Sequence, residues 1–515
     1  MPRFGLAACA AALMLSTGSL AQVPDRPDAH QHGHGMPAGN NLGELSFPNS
    51  GKTAAQAPFL RGVKLLHNFQ YEDAIEAFRQ AQKADPDFAL AYWGEAMAHN
   101  YTLWAEQHTD QARAILARLG PTPEARAAKA KTVREKMWLG AVEALYGFGT
   151  KFQRDEAYAD CMDALFAAYP DDLEARSFDA LATMGRSHGS RDVANYMKAA
   201  AMLEEVFPTH LHHPGVVHYL IHAYDDPTHA PLGLRAARIY DKIAPDSAHA
   251  QHMTSHIFLA MGMWPETEQA NVHAAAVQDA AMAAHHMPPG ACGHGHIWLV
   301  YARLQEGKDV SRDIDACLAQ AQAVTRELKD LPAVGSPEGG FGSWADMAVR
   351  TGIETGKWPK WIELPSGKFA WARFTEDYGR VLASRHDAAA AQSALDALKG
   401  DREVVAANWK KEFPDDDTSL PWVDRAMAQG EAVVVLTQGR SNDGILLLRQ
   451  AAEAEAALPL PFGPPALLKP SYELLGDELL ALGRKREAAD AYRAALSAAP
   501  NRRLSVLGLK AATAP

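Results

Sequence analysis

Apolar residues recur at three- and four-residue spacing along nearly the whole chain, and the strict alternation of half-buried strands is almost absent. The pattern predicts an all-α protein. A longer rhythm lies on top of it. In "RGVKLLHNFQYEDAIEAFRQAQKADPD" the residues Gly62, Tyr71, Ala74, Phe78, Ala81 and Pro86 describe a helical hairpin, with small residues where two helices cross and a proline closing the second. Near the other end, "SYELLGDELLALGRKREAADAYRAALSAAP" repeats the arrangement with Tyr472, Gly476, Gly483, Ala488, Tyr492, Ala495 and Pro500.

This spacing is that of the tetratricopeptide repeat, a pair of antiparallel helices in about 34 residues. The clearest repeats fall at 55–88, 214–247, 248–281 and 469–502, and the stretches between them keep the helical period. The expected fold is therefore an all-α, tetratricopeptide-like solenoid over residues 51–515, a right-handed superhelix of antiparallel helix pairs. In such an array the first helix of each repeat lines a concave surface, where repeat proteins bind their partners.

The repeat frame gives meaning to two segments. "HPGVVHYLIHAYDD" carries His218 and His222, and "HAQHMTSHIFLAMG" carries His252 and His256, each pair four residues apart and the second pair 34 residues after the first. With Pro245 as the closing proline of one repeat, both pairs take the same two positions of consecutive first helices. Those positions face the groove, and residues four apart share one helical face. Adjacent helices about 8–10 Å apart then bring the imidazoles to one patch. His213 and His249 stand at or just before the starts of these helices, and His294 and His296 open the next one. The stretch from His210 to His296 holds 14 of the 22 histidines.

Neutral imidazole is the commonest metal ligand, and two histidines at i and i+4 are the spacing by which a helix binds zinc. A cluster of this kind suits copper, zinc or iron. His213, His218, His222, His249, His252, His256 and His294 are the candidate ligands. Two triads, His213/His218/His222 and His249/His252/His256, would hold two ions, while convergence of the four repeat-matched imidazoles would hold one. Asp225 and Asp226, one turn beyond His222, are placed to bind a metal or to orient a ligating imidazole. In "AYWGEAMAHNYTLW", Glu95 and His99 form a carboxylate–imidazole pair at helical spacing. Glu95, His99 and Asp225 are the candidate catalytic groups should the site do proton chemistry.

Composition narrows the picture. The 515 residues are 47% hydrophobic and 22% charged with a net charge of −12, a globular balance without a basic stripe for nucleic acid. "MPRFGLAACAAALMLSTGSLAQ" reads as a signal peptide over residues 1–21, cleaved after Ala21, and points to a periplasmic or secreted protein. Residues 22–50, rich in Pro, Gly, Asn and His, read as a flexible linker in which His30, His32, His34 and Met36 form a loose copper or zinc scavenger or simply a solvated tail. No later stretch has the ~20 apolar residues that span a bilayer. Cys161, Cys292 and Cys317 are too few for a disulfide framework but allow one bridge, or a thiolate ligand at Cys292.

The segments "HPGVVHYLIHAYDDPTHAPLGLRAARIYDKIAPDSAHAQHMTSHIFLAMGMW" and "SFPNSGKTAAQAPFLRGVKLLHNFQYEDAIEAFRQAQKADPDFALAYWGEAMAHNYTLW" resemble a family of secreted bacterial tetratricopeptide-repeat proteins, as does the C-terminal repeat. The likeness covers most of residues 45–510. It implies the helical-repeat fold and a histidine set of His67, His213, His218, His222, His249, His252, His256 and His294. The family carries cysteine where this chain has Gly51 and proline where it has Thr254, which removes any thiol role at position 51. The resemblance names no activity. The sequence thus supports a binding protein with a transition-metal site in its groove, taking a protein, peptide or small ligand. The alternatives are a hydrolase or oxidase with one or two metals, and a metal-free interaction scaffold.

Overall fold

The structure is a computed structural model that describes residues 39–104, 106–284, 286–412, 419–459 and 461–514. The expected leader and residues 22–38, with His30, His32, His34 and Met36, lie outside the described residues. Among the described residues, 23 α-helices follow one another, interrupted by one small hairpin that pairs Asn100–Tyr101 with Glu106–Gln107. No helix among them is long and apolar enough to cross a membrane.

The expected repeats are helix pairs: Thr53–His67 with Tyr71–Ala84, Pro214–Ala223 with Ala230–Ile243, Ala248–Ala260 with Trp264–Ala284, and Ser471–Ala481 with Lys485–Ala498. Their packing explains the residue pattern. A Cβ on Gly62 would stand 2.7 Å from the Phe78 ring and one on Gly94 2.3 Å from it, so Phe78 is clamped between a glycine of the helix before and a glycine of the helix after. Tyr492 is held in the same way by Gly476 and Gly508, at 2.8 and 2.2 Å. One aromatic between two glycines thus sets the helix spacing at both ends of the chain.

Residues 39–50 correct the expectation of a loose linker. Leu42 and Phe47 are buried, and Phe47 packs against Phe59, Trp93 and Trp138. The Glu44 amide donates to the His212 carbonyl at 2.9 Å, and Arg134 donates to the carbonyl of Pro48. Composition suggested a spacer, but two apolar side chains make the segment a strap across the array.

The array also closes on itself. Arg502, fully buried, donates to Glu473 at 2.8 Å and to the Tyr301 hydroxyl at 3.1 Å, and pairs with Glu354 at 2.6 Å. Trp264 donates its indole N–H to the Asn501 carbonyl, and the Arg503 amide donates to Gln305. The last repeat therefore seats on helices some 200 residues earlier in sequence.

Candidate metal centre

Three helix starts build the site. His213 caps the Pro214–Ala223 helix by accepting the Val216 N–H, and Pro214 fixes its first turn. Ser247 caps Ala248–Ala260 in the same way through the Ala250 N–H. His294 begins the His294–Gln305 helix. These helices bring six imidazoles together in two groups. His218, His222 and His249 each offer a ring nitrogen within 4.8 Å of the others, and His252, His256 and His294 do the same. The groups abut along two edges, with ring centres 5.9 Å apart for His222 and His256 and 6.4 Å for His249 and His252.

In the second group the far nitrogen of every ring is held by an acceptor. His256 Nδ1 donates to Asp225 at 2.5 Å, His294 Nδ1 to Glu338 at 2.7 Å, and His252 Nδ1 to Asn271 Oδ1 at 2.7 Å. The Asn271 amide nitrogen is itself spent on the Thr267 carbonyl, which turns its oxygen toward His252. With Nδ1 protonated in each ring, the neutral form has a bare Nε2. The Nε2 atoms of His256 and His294 lie 3.2 and 3.0 Å from that of His252. Lone pairs this close repel unless an extra proton or a cation stands between them. Two imidazoles on one tetrahedral zinc sit about 3.3 Å apart, as follows from a Zn–N bond of about 2.0–2.1 Å.

The first group is drier. His218 Nδ1 donates to the His67 carbonyl at 2.6 Å, an acceptor only, so its Nε2 is also bare. The Nε2 atoms of His218 and His222 are sealed from solvent with no hydrogen-bond partner. Burial, reinforced by the neighbouring imidazoles, lowers His218 to about 3 and holds His222 well below the usual histidine range. Both are therefore neutral and ready to donate a lone pair. At His294 burial favours the neutral ring, but the Glu338 carboxylate outweighs it and raises the pKa.

The grouping differs from the sequence expectation of His213/His218/His222 and His249/His252/His256. His249, at the start of its helix, joins the preceding repeat, and His294 completes the second triad. His213 stands apart with His67. Both donate to Glu174, at 3.0 and 2.8 Å, while His213 Nδ1 accepts from Val216 and His67 Nδ1 meets the Tyr219 hydroxyl. Burial would raise Glu174, but His213 and His67 overcome it and hold the carboxyl at about 2. This third cluster has the donor types of a metal site, yet its ring nitrogens are already satisfied, and it serves as a brace beneath the first triad.

Of the candidate catalytic groups, Asp225 reaches the site and orients His256. Asp226 instead pairs with Arg191 and His229. Glu95 belongs to neither triad: it is fully buried and bound by Arg79, Arg118 and Gln82. His99 is not on its helix, which ends at Met97, and burial lowers it to about 4. Cys292 is not a thiolate ligand, because it is bonded to Cys317. Asn271 and Glu338 escaped the sequence reading. Their only signal was a polar residue on a helix and a carboxylate in a glycine-rich loop.

Two aromatic walls close the centre. The Phe69 ring lies 4.4 Å from His218, 5.5 Å from His222 and 5.6 Å from His249. Its backbone is left-handed, at φ 53°, a conformation rare outside glycine. Asn68 holds that turn through the Leu42 carbonyl of the strap and the Tyr240 hydroxyl. Trp298 covers the second triad, 4.7 Å from His252 and 4.4 Å from His256. Gly463 lies flat on the Trp298 indole, where a Cβ would come within 2.2 Å. The centre is open at His294, whose side chain is 39% exposed, and at the half-buried His249. A cavity of about 780 Å³ lies elsewhere, beneath the strap, and meets the histidine cluster only through His213.

Residues 470–502 match the family model of the tetratricopeptide repeat. The chain carries a tetratricopeptide repeat there. No curated protein matches it. Among solved structures, the APC/C hetero-tetramer Cut9–Hcn1 aligns over 92% of this chain and 79% of its own at 11% identity, with a TM-score of 0.35. The P58(IPK) TPR domain aligns over 89% and 97% at 12% identity and a TM-score of 0.21. The human IFIT1 dimer with m7Gppp-AAAA aligns over 80% and 92% at 12% identity and a TM-score of 0.30. Scores this low give no basis for transferring a partner or an activity to this chain.

Proposed function

We propose that this protein is an exported tetratricopeptide-repeat binding protein whose groove holds a pair of transition-metal ions, one in each histidine triad. The observation that carries the reading is the second triad. Three rings donate Nδ1 to Asp225, Asn271 and Glu338 and turn their Nε2 atoms to a common point at 3.0 and 3.2 Å. Metal-ligating histidines are held in this way, with the far N–H on a carboxylate or amide. Imidazole-only donor sets suit copper, zinc or iron. The Cys292–Cys317 bridge supports export, since disulfides persist in oxidising compartments.

A second reading, a metalloenzyme, is favoured by one feature: each triad supplies three ligands and leaves a coordination position open, as catalytic sites do. The test for both is elemental analysis of the purified full chain beside His218→Ala and His252→Ala. Two equivalents in the parent and one in each variant support the pair. No metal in the parent after reconstitution sinks it and leaves a repeat scaffold that binds a partner through its concave surface.

A further inference from the structure

We infer that the two triads hold copper(I), and that the pair binds dioxygen between its ions. The inference rests on the metal pair proposed above and adds its identity and its ligand.

Charge selects the ion. Imidazole ligates a metal as a neutral donor, and no carboxylate takes a ligand position in either triad. The carboxylates that hold ligand rings are Asp225, on His256, and Glu338, on His294. Asp226 is matched by Arg191 at 2.7 Å, and Glu174, beneath the first triad, holds no ligand ring and accepts from His67 and His213. Two monovalent ions are balanced by Asp225 and Glu338. Two divalent ions would leave positive charge in excess of those two carboxylates, among rings four of which are buried, where unpaired charge is costly. Copper is the first-row ion that is stable in a monovalent state and bound by soft or nitrogen donors.

Access selects the ligand. Phe69 covers one triad and Trp298 the other, and His218, His222, His252 and His256 are all buried. The partly exposed ligands are His249 and His294, one in each triad. A peptide or a bulky organic substrate does not fit between such walls, whereas a diatomic molecule does. The triads abut along the His222–His256 edge, with ring centres 5.9 Å apart, so a diatomic ligand at that seam would reach an ion in each. There, dioxygen from solution takes one electron from each copper(I). Two Cu–O bonds form, the O–O bond falls from double to single, and both ions become copper(II). The step needs no proton and no other reactant.

The experiment uses the full chain with His30, His32 and His34 changed to Ala, so that the N-terminal histidines take no copper. It is loaded with copper(I) without air and then exposed to dioxygen. Two coppers per chain, uptake of one dioxygen per pair, an intense near-ultraviolet charge-transfer band and no copper paramagnetic resonance are expected. His294→Ala should keep one copper and lose the dioxygen band, while His273→Ala, at an exposed position outside the site, should behave as the parent. Two coppers that oxidise in air to separate paramagnetic ions overturn the shared ligand but leave the metal pair. Two equivalents of zinc with no stable copper overturn the ion's identity and again leave the pair. No metal of any kind overturns both.

Discussion

Asp225, at the end of one ligand helix, orients His256 of the next, Oδ2 to Nδ1 at 2.5 Å. The carboxylate thereby fixes the tautomer of a ring in the following repeat and couples the first triad's helix to the second triad. Replacing it with asparagine keeps the size and removes the charge. Asp225→Asn is expected to weaken metal binding 10- to 100-fold, on the order usual for such supporting groups, with the helical content unchanged. Competition with a chelator of known affinity measures this. An unchanged affinity would show that Asp225 supports the ring without serving a metal.

The Cys292–Cys317 bridge lies two residues before His294 and ties that helix start to the Ser311–Glu327 helix. The Gly293 amide donates to Ser343 Oγ at 3.0 Å, and Ser343 donates to the carbonyl of Glu338, the residue that holds His294. Cys292→Ser/Cys317→Ser should therefore loosen the second triad and spare the first. A stepwise metal titration should show one site weakened about tenfold or more and the other unmoved. The 25-residue separation also sets an expected stability loss of about 3.5 kcal/mol by loop-closure entropy. Equal weakening of both sites would refute the tether.

Burial pushes the Glu376 carboxyl up to about 7, with the Ile362 N–H and Arg380 opposing the rise only in part. The folded chain thus holds a proton there that the unfolded chain releases near the ordinary carboxylate range. Its stabilising contribution is full below that range and is lost as pH rises through 7, by up to about 3 kcal/mol. Glu376→Gln, which keeps an acceptor for the Ile362 N–H, should flatten this decline. Melting temperatures at pH 5 and pH 8 test it. An equal fall in variant and parent would assign the pH dependence to other groups.

Arg502→Ala removes a fully buried guanidinium and strands Glu354, while Glu473 keeps Lys469 at 2.9 Å. Breaking a buried pair on one side costs about 3–5 kcal/mol. Denaturant melts should show that loss. A loss below about 1 kcal/mol would mean that the stranded carboxylate finds water or a proton instead.

The repeat frame was legible because it rests on local periodicity: Gly62, Phe78, Gly476 and Tyr492 stand at fixed offsets and clamp as those offsets imply. The four matched histidines were legible for the same reason. Their division into triads was not. Whether His249 turns to its own repeat or the preceding one depends on how adjacent helices are offset, which no spacing within one helix records. Asn271 and Glu338 act over 19 and 44 residues in sequence, beyond any local motif. Glu95 and His99 were misplaced because the i,i+4 rule presumes a helix that here stops at Met97. The strap was mistaken for a spacer because proline and glycine outweigh Leu42 and Phe47 in composition but not in packing.

Solenoids ordinarily change length with ease, since each unit answers only to its neighbours. Here Arg502 meets Tyr301 and Glu354 across the turn of the superhelix, and Trp264 meets Asn501. Adding or deleting one hairpin between residues 354 and 463 would carry Arg502 past Tyr301 and Glu354 and lift Gly463 off Trp298, above the histidines. The number of repeats is therefore as fixed in this chain as the number of strands in a closed barrel.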